Sequence, residues 1–248
     1  MPCQIRYTQQ VMFRIRSGFP LARGGYQARW RSEGQRRHQG PKLTDEEPLL
    51  YPDSPSTHHS DLATFLAHAK RSGLNEKSTV YVGTHYEYTV AAAVSKYGFA
   101  LRRVGGASDH GTDLIGTWAL PTLSRPWRTL VQCKGGAAQK VGPQHVRELE
   151  GAFVGAPVGW RGHGVLGMLV SERAATKGVR DSLGRSRWPM AYVCCSKGGT
   201  VKQMLWNQQA EDGGLAGYAV APKYAADGKE PELVLLHNGN IVPPKQAT

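Results

Sequence analysis

From residue 79 onward the sequence alternates between stretches of helical spacing and short aliphatic or β-branched runs, an order that few folds accept. Residues 85–97 set Tyr86, Val90, Ala93, Val94 and Tyr97 on one helical stripe. Gly98 follows as the glycine that ends such a helix. Residues 99–104, 113–118 and 129–134 read as three strands. A helix is expected at 143–153, with Val146, Leu149 and Phe153 inward. Then come a buried-type strand at 165–170, a helix at 176–185, a strand at 190–195 and a helix at 201–210. Residues 218–221 and 233–237 are expected to pair as a hairpin. The order helix, three strands, helix, strand, helix, strand predicts an α/β fold: a mixed sheet flanked by helices on both faces.

The chain before residue 79 has a different character. Residues 1–44 hold nine Arg or Lys side chains against Glu33 alone. Phe13, Ile15, Phe19 and Leu21 lie among the arginines, and no secretory apolar segment is present. Such composition is that of a mitochondrial targeting segment, with a disordered basic arm as the plainer alternative. The leader carries +8 of the formal +12, which leaves +4 for the remaining 204 residues. Most of the basic signal therefore says little about nucleic acid. Pro41, Pro48, Pro52 and Pro55 mark a linker. Ser60 is the expected N-cap of a helix to about Arg71, with Leu62, Phe65, Leu66 and Ala69 on one face and Gly73 at its end. The division expected is 1–44 targeting segment, 45–78 linker and N-terminal helix, 79–200 core, and 201–248 a C-terminal helix and hairpin.

Several classes of protein are excluded at this stage. The cysteines are Cys3, Cys133, Cys194 and Cys195, with no CxxC pair, which supports neither a disulfide framework nor a zinc module. No apolar run approaches the roughly 20 residues of a membrane-spanning helix. The glycines of residues 105–111 do not fit the dinucleotide pattern GxGxxG, no HExxH pairs the histidines, and no GxSxG supplies a hydrolase nucleophile.

Chemistry concentrates in three segments, GTHYEYTVAAAVSKYGF, DHGTDLIG and TLVQCKGG. Alternation in the third places Leu130, Gln132 and Lys134 on one face, and Val131 and Cys133 on the other. If the strand opened by Asp113 pairs with 129–134 as a hairpin, a carboxylate, an amide oxygen and an ammonium meet at one sheet end. Mg²⁺ takes oxygen ligands and keeps waters for substrate phosphate. It polarises the phosphoryl group and activates water, while a lysine orients that water or stabilises developing charge. Asp109 reads as an Asx turn shaping the approach to Asp113, with metal binding as the other reading. Glu87 has two readings of equal weight: the N3 residue of a capping box begun by Thr84, or a third carboxylate aimed at the same sheet end.

These motifs, in this order and spacing over about residues 79–175, resemble the PD-(D/E)XK restriction endonuclease-like superfamily, and within it the Mrr-like branch, where glutamine stands in the third motif. With its basic leader, the chain also resembles the fungal mitochondrial family "required for respiratory growth protein 7". The resemblance implies a restriction endonuclease-like sheet and a site bound to Mg²⁺ or Mn²⁺. Asp113 matches the main metal-binding acid, Gln132 the second acid, Lys134 the catalytic lysine and Glu87 the supporting glutamate. Gln144, in the following helix, is a further supporting candidate. Thr112 stands where proline is usual. Gln132 brings no charge, so the metal would be held less tightly unless Glu87 compensates.

The function expected is metal-dependent hydrolysis of DNA in the mitochondrial matrix, in genome maintenance and respiratory growth. The alternatives are an inactive nucleic-acid binder on the same fold and an assembly factor. Many nucleases of the superfamily act as homodimers, though no exposed apolar helix in this sequence demands one.

Overall fold

Ser78 starts the helix that matters most. Its hydroxyl accepts the N–H of Tyr81 at 3.2 Å, and the helix α2 runs from Thr79 to Ser95. It begins six residues before the sequence pattern predicts, because Gly83 and the exposed Val80 interrupt the apolar stripe that announces it. Thr84 is therefore mid-helix and buried, and it caps nothing. The capping-box reading of Glu87 is overturned.

The chain is described by a computed structural model over residues 49–106, 111–136, 139–224 and 230–244. The leader 1–44, Cys3 and Asp109 lie outside the described residues. Helix α1 spans Leu62–Ser72. It is capped by Asp61, one residue after the expected Ser60, in a reciprocal exchange with Thr64. Gly73 closes it in the left-handed conformation, as expected.

Six strands form one sheet in chain order: β1 (Phe99–Arg103), β2 (Leu114–Trp118), β3 (Trp127–Lys134), β4 (Val165–Ser171), β5 (Met190–Cys195) and β6 (Val201–Trp206). β1, β2 and β3 form an antiparallel meander, whereas β3, β4 and β5 are parallel. The parallel steps need crossovers, and α3 (Pro143–Gly155) and α4 (Lys177–Arg185) supply them. One apolar cluster joins Tyr86, Val90 and Val94 of α2 to Leu114, Trp118, Val131 and Val193. A second joins Val146, Leu149 and Val179 of α3 and α4 to Ile115, Leu130 and Leu169 on the opposite face. Every residue of β4 is buried, as a strand covered on both faces requires. The predicted mixed sheet with helices on both faces is the architecture found.

Residues 201–206 depart from expectation. They were expected to be helical and instead form β6, antiparallel to β5. Val201 and Leu205 have helical spacing, but so short an apolar run fits either structure. The turn decides: Ser196 N–H donates to Thr200 O at 2.8 Å, and Gly199 holds φ +82°. The main sheet thus continues past residue 200, and only Gln208–Ala210 and a π-helical turn, Glu211–Leu215, are helical there. A small sheet follows, with β7 (Tyr218–Lys223) and β8 (Glu232–His237) paired as predicted and β9 (Asn240–Ile241) beside β8. Among the described residues, no helix is long and apolar enough to cross a membrane.

Candidate active site

The β2–β3 register pairs Leu114 with Val131, and its continuation sets Asp113 across from Gln132. Asp113 stands one residue ahead of β2, and its carboxylate takes over the ladder there: Oδ2 accepts the N–H of Cys133 at 2.6 Å. From the other side, the N–H groups of Val104 and Gly105 both donate to Asp113 O, at 2.9 and 2.8 Å. A Cβ on Gly105 would sit 3.1 Å from Asp113 Cα, so a glycine lets the end of β1 close around the aspartate. The Cys133 N–H of β3 thus orients this carboxylate, while the turn after β1 holds the aspartate's backbone, a preorganised arrangement.

Gln132 is 5 % exposed, and among the described residues its buried Oε1 has no hydrogen-bond partner. A buried amide oxygen left so costs on the order of 1–3 kcal/mol and points to a ligand or ion as its partner. Gln132 shares its face of β3 with Leu130 and Lys134, as the alternation predicts. Lys134 Nζ lies 3.3 Å from Oε2 of Glu148, which reaches down from α3.

Glu87 comes to the same strand end from the α2 face. Its Oε2 accepts the Nε–H of Arg103, an ion pair that is largely buried. Burial first, then the charges of Asp113 and Glu87, hold the thiol of Cys133 well above the ordinary range.

The sequence-derived site residues therefore divide. Asp113 and Gln132 face each other, and Lys134 stands beside them. Glu87 is near, but it is tied to a guanidinium. Gln144 is exposed at the start of α3, where its side chain lies back over Gly142. The α3 residue that reaches the strand end is Glu148, one helical turn on. Sequence reasoning missed Glu148 and Arg103. The i,i+4 spacing from Gln144 and the alternation of Leu101 with Arg103 were the signals that could have found them.

Among the described residues, no group of three or more His, Cys, Asp or Glu is arranged to hold a metal. The donor set available is one carboxylate, Asp113, and one unpartnered amide oxygen, Gln132 Oε1. That set fits a hard cation that keeps several waters, as Mg²⁺ does, and not a soft or fully caged one.

Comparison with known proteins locates the chain. The family described as "Required for respiratory growth protein 7" matches residues 78–127 and 123–222. An uncharacterised mitochondrial protein of Schizosaccharomyces pombe is 31 % identical over 159 residues, 62 % of each chain. The mitochondrial Required for respiratory growth protein 7 of Saccharomyces cerevisiae is 25 % identical over 168 residues, covering 51 % of this chain and 69 % of that one. The chain thus spans somewhat under two thirds of the Schizosaccharomyces pombe relative. A solved restriction endonuclease, MspJI in complex with a 27-mer oligonucleotide, aligns with 56 % of this chain and 30 % of its own. Its TM-score is 0.32 and its identity 18 %, too slight a likeness to carry weight.

Proposed function

The chain belongs to the mitochondrial family Required for respiratory growth protein 7, and we propose that it is a metal-dependent nuclease that hydrolyses DNA phosphodiester bonds. The observation that carries this reading is the buried, unpartnered Oε1 of Gln132 across from the backbone-fixed carboxylate of Asp113, beside Lys134. In it, Asp113 and Gln132 hold Mg²⁺ or Mn²⁺, which when bound polarises the phosphoryl group and lowers the pKa of water. The backbone N–H of Cys133 keeps Oδ2 of Asp113 oriented. Lys134, positioned by Glu148, stabilises negative charge at the phosphate or orients the attacking water. Glu87, balanced by Arg103, sets the field on the α2 side instead of ligating directly. The reading places this activity in the mitochondrial matrix, in genome maintenance.

A second reading, a nucleic-acid binder without catalysis, draws on the uncharged Gln132 and on the two ion pairs that occupy Glu87 and Lys134. The test is cleavage of a panel of duplex, branched and single-stranded DNA and RNA with Mg²⁺, Mn²⁺ or EDTA. Metal-dependent cleavage supports the nuclease. Salt-sensitive binding without cleavage of any substrate selects the binder. Neither binding nor cleavage leaves an assembly role.

A further inference from the structure

The parallel strands β3, β4 and β5 end at the same side of the sheet, and a cleft of about 460 Å³ opens there on the α2 face. Ligands favour the carboxyl ends of such strands. Gly136, Glu172 and Lys197 follow the three strands in turn and line one wall, and the first turns of α2 line the other through Tyr81, His85 and Tyr86. The cleft shares the carboxyl end of β3 with the candidate active site but opens on the other face of the sheet, since Gln132 and Lys134 lie on the α3 side.

The polar groups in the cleft have distinct states. Tyr86 is committed, since its hydroxyl donates to Cys195 O at 2.9 Å. Its ring packs against Gly135, where an added Cβ would come within 2.8 Å of it. Oε1 of Glu172 accepts the N–H of Gly136 at 2.7 Å. Tyr81 and His85, one helical turn apart, have nearly parallel rings with centroids 5.8 Å apart. Burial and the Lys197 cation lower the pKa of His85, with Glu76 opposing, and its ring adds a flat face to that of Tyr81. Lys197 and Glu76, both exposed, also line the cleft.

Aromatic faces, carboxylate acceptors and a single ammonium make an unusual wall for a nuclease cleft. A paired duplex hides its base faces by stacking and leads with its phosphates, which Glu76 and Glu172 repel. An unpaired nucleotide offers what the wall can use: a π-face for Tyr81 and His85, N–H donors for the carboxylates, and one phosphate for Lys197. We propose that this cleft takes one unpaired nucleotide of the substrate, so that the substrate class is DNA with a single-stranded or extruded nucleotide near the scissile bond, its strand passing around the end of β3. The proposal rests on the nuclease reading for its location near a scissile bond, but not for the binding itself.

The test is binding by the full chain in EDTA, where no metal-dependent cleavage occurs. The probes are two 15-base-pair DNA duplexes containing 2-aminopurine, one fully paired and one with the probe base unpaired. Wild type is expected to bind the unpaired probe about tenfold more tightly, the scale of one stacked base, with a change in 2-aminopurine emission. Lys197→Ala and His85→Ala are expected to erase that preference while paired-duplex binding stays the same. Equal affinity for both probes, or a preference that survives in both variants, overturns the proposal. Far-ultraviolet circular dichroism of each variant separates misfolding from lost contacts, and the exposed Lys197→Ala alone suffices should His85→Ala unfold. Cleavage in Mg²⁺ is scored separately. Its absence sinks the nuclease reading and leaves the binding result to decide the cleft.

Discussion

Lys134 Nζ rests 3.3 Å from Glu148 Oε2, so the ammonium proposed for catalysis is steered by a carboxylate from the neighbouring helix. Glu148 is about half exposed, and an exposed pair of this kind adds little to stability, at most about 1 kcal/mol. Glu148→Gln is expected to leave the melting temperature within about 2 °C of wild type. It is expected to lower kcat for DNA cleavage about tenfold, equivalent to roughly 1.4 kcal/mol of transition-state positioning. Unchanged kcat would mean that Lys134 is held by the strand alone.

The Glu87–Arg103 pair is a different case, since both side chains are nearly buried, at 11 % and 14 % exposed. Arg103→Ala removes the cation from a buried carboxylate and is expected to cost about 3 kcal/mol in urea unfolding. Lys177→Ala, at the exposed pair with Asp181, is expected to change stability little. Equal effects in the two variants would contradict the burial argument.

Gln132→Glu places a second carboxylate across from Asp113. Without metal, two like charges meet in a buried setting, so the variant is expected to be less stable than wild type in EDTA. Added Mg²⁺ is expected to raise its melting temperature more than that of wild type, because binding to the folded state alone stabilises it. Thermal melts with and without Mg²⁺ check both signs.

The histidines give a pH dependence. Burial first, then the Arg103 cation, and then His68 and His58, lower the pKa of His59 from its ordinary 6.5; its Nδ1 meets the hydroxyl of Tyr88 at 2.8 Å. Burial and Lys197 lower that of His85, with Glu76 opposing. A histidine with a depressed folded pKa binds fewer protons when folded than when unfolded. Its contribution is complete above 6.5 and is lost as pH falls towards the folded pKa. Stability in urea is thus expected to decline from pH 7 to 5.5, and the decline is expected to be shallower in His59→Gln.

The sheet order was legible because its strands are short, apolar and separated by helices of clear period. Alternation alone put Gln132 and Lys134 on one face, and the hairpin argument brought Asp113 to them. What sequence could not give was set by tertiary choices. Thr84-x-x-Glu87 is a sound local cap, yet Ser78 starts the helix earlier and tertiary burial carries Glu87 inside. Val201 and Leu205 suit a helix until the Gly198-Gly199 turn pins them to β5. Glu148 and Arg103 are ordinary surface charges in sequence, and only packing reveals that each holds a site residue.

The most direct test is cleavage of single-stranded and nicked DNA in Mg²⁺ by wild type, Asp113→Asn and Lys134→Ala, all verified as folded. The account predicts cleavage by wild type that EDTA abolishes and that each substitution lowers about 100-fold or more. Metal-dependent cleavage that persists undiminished in both variants would contradict it, because the chemistry would then belong to some other part of the chain.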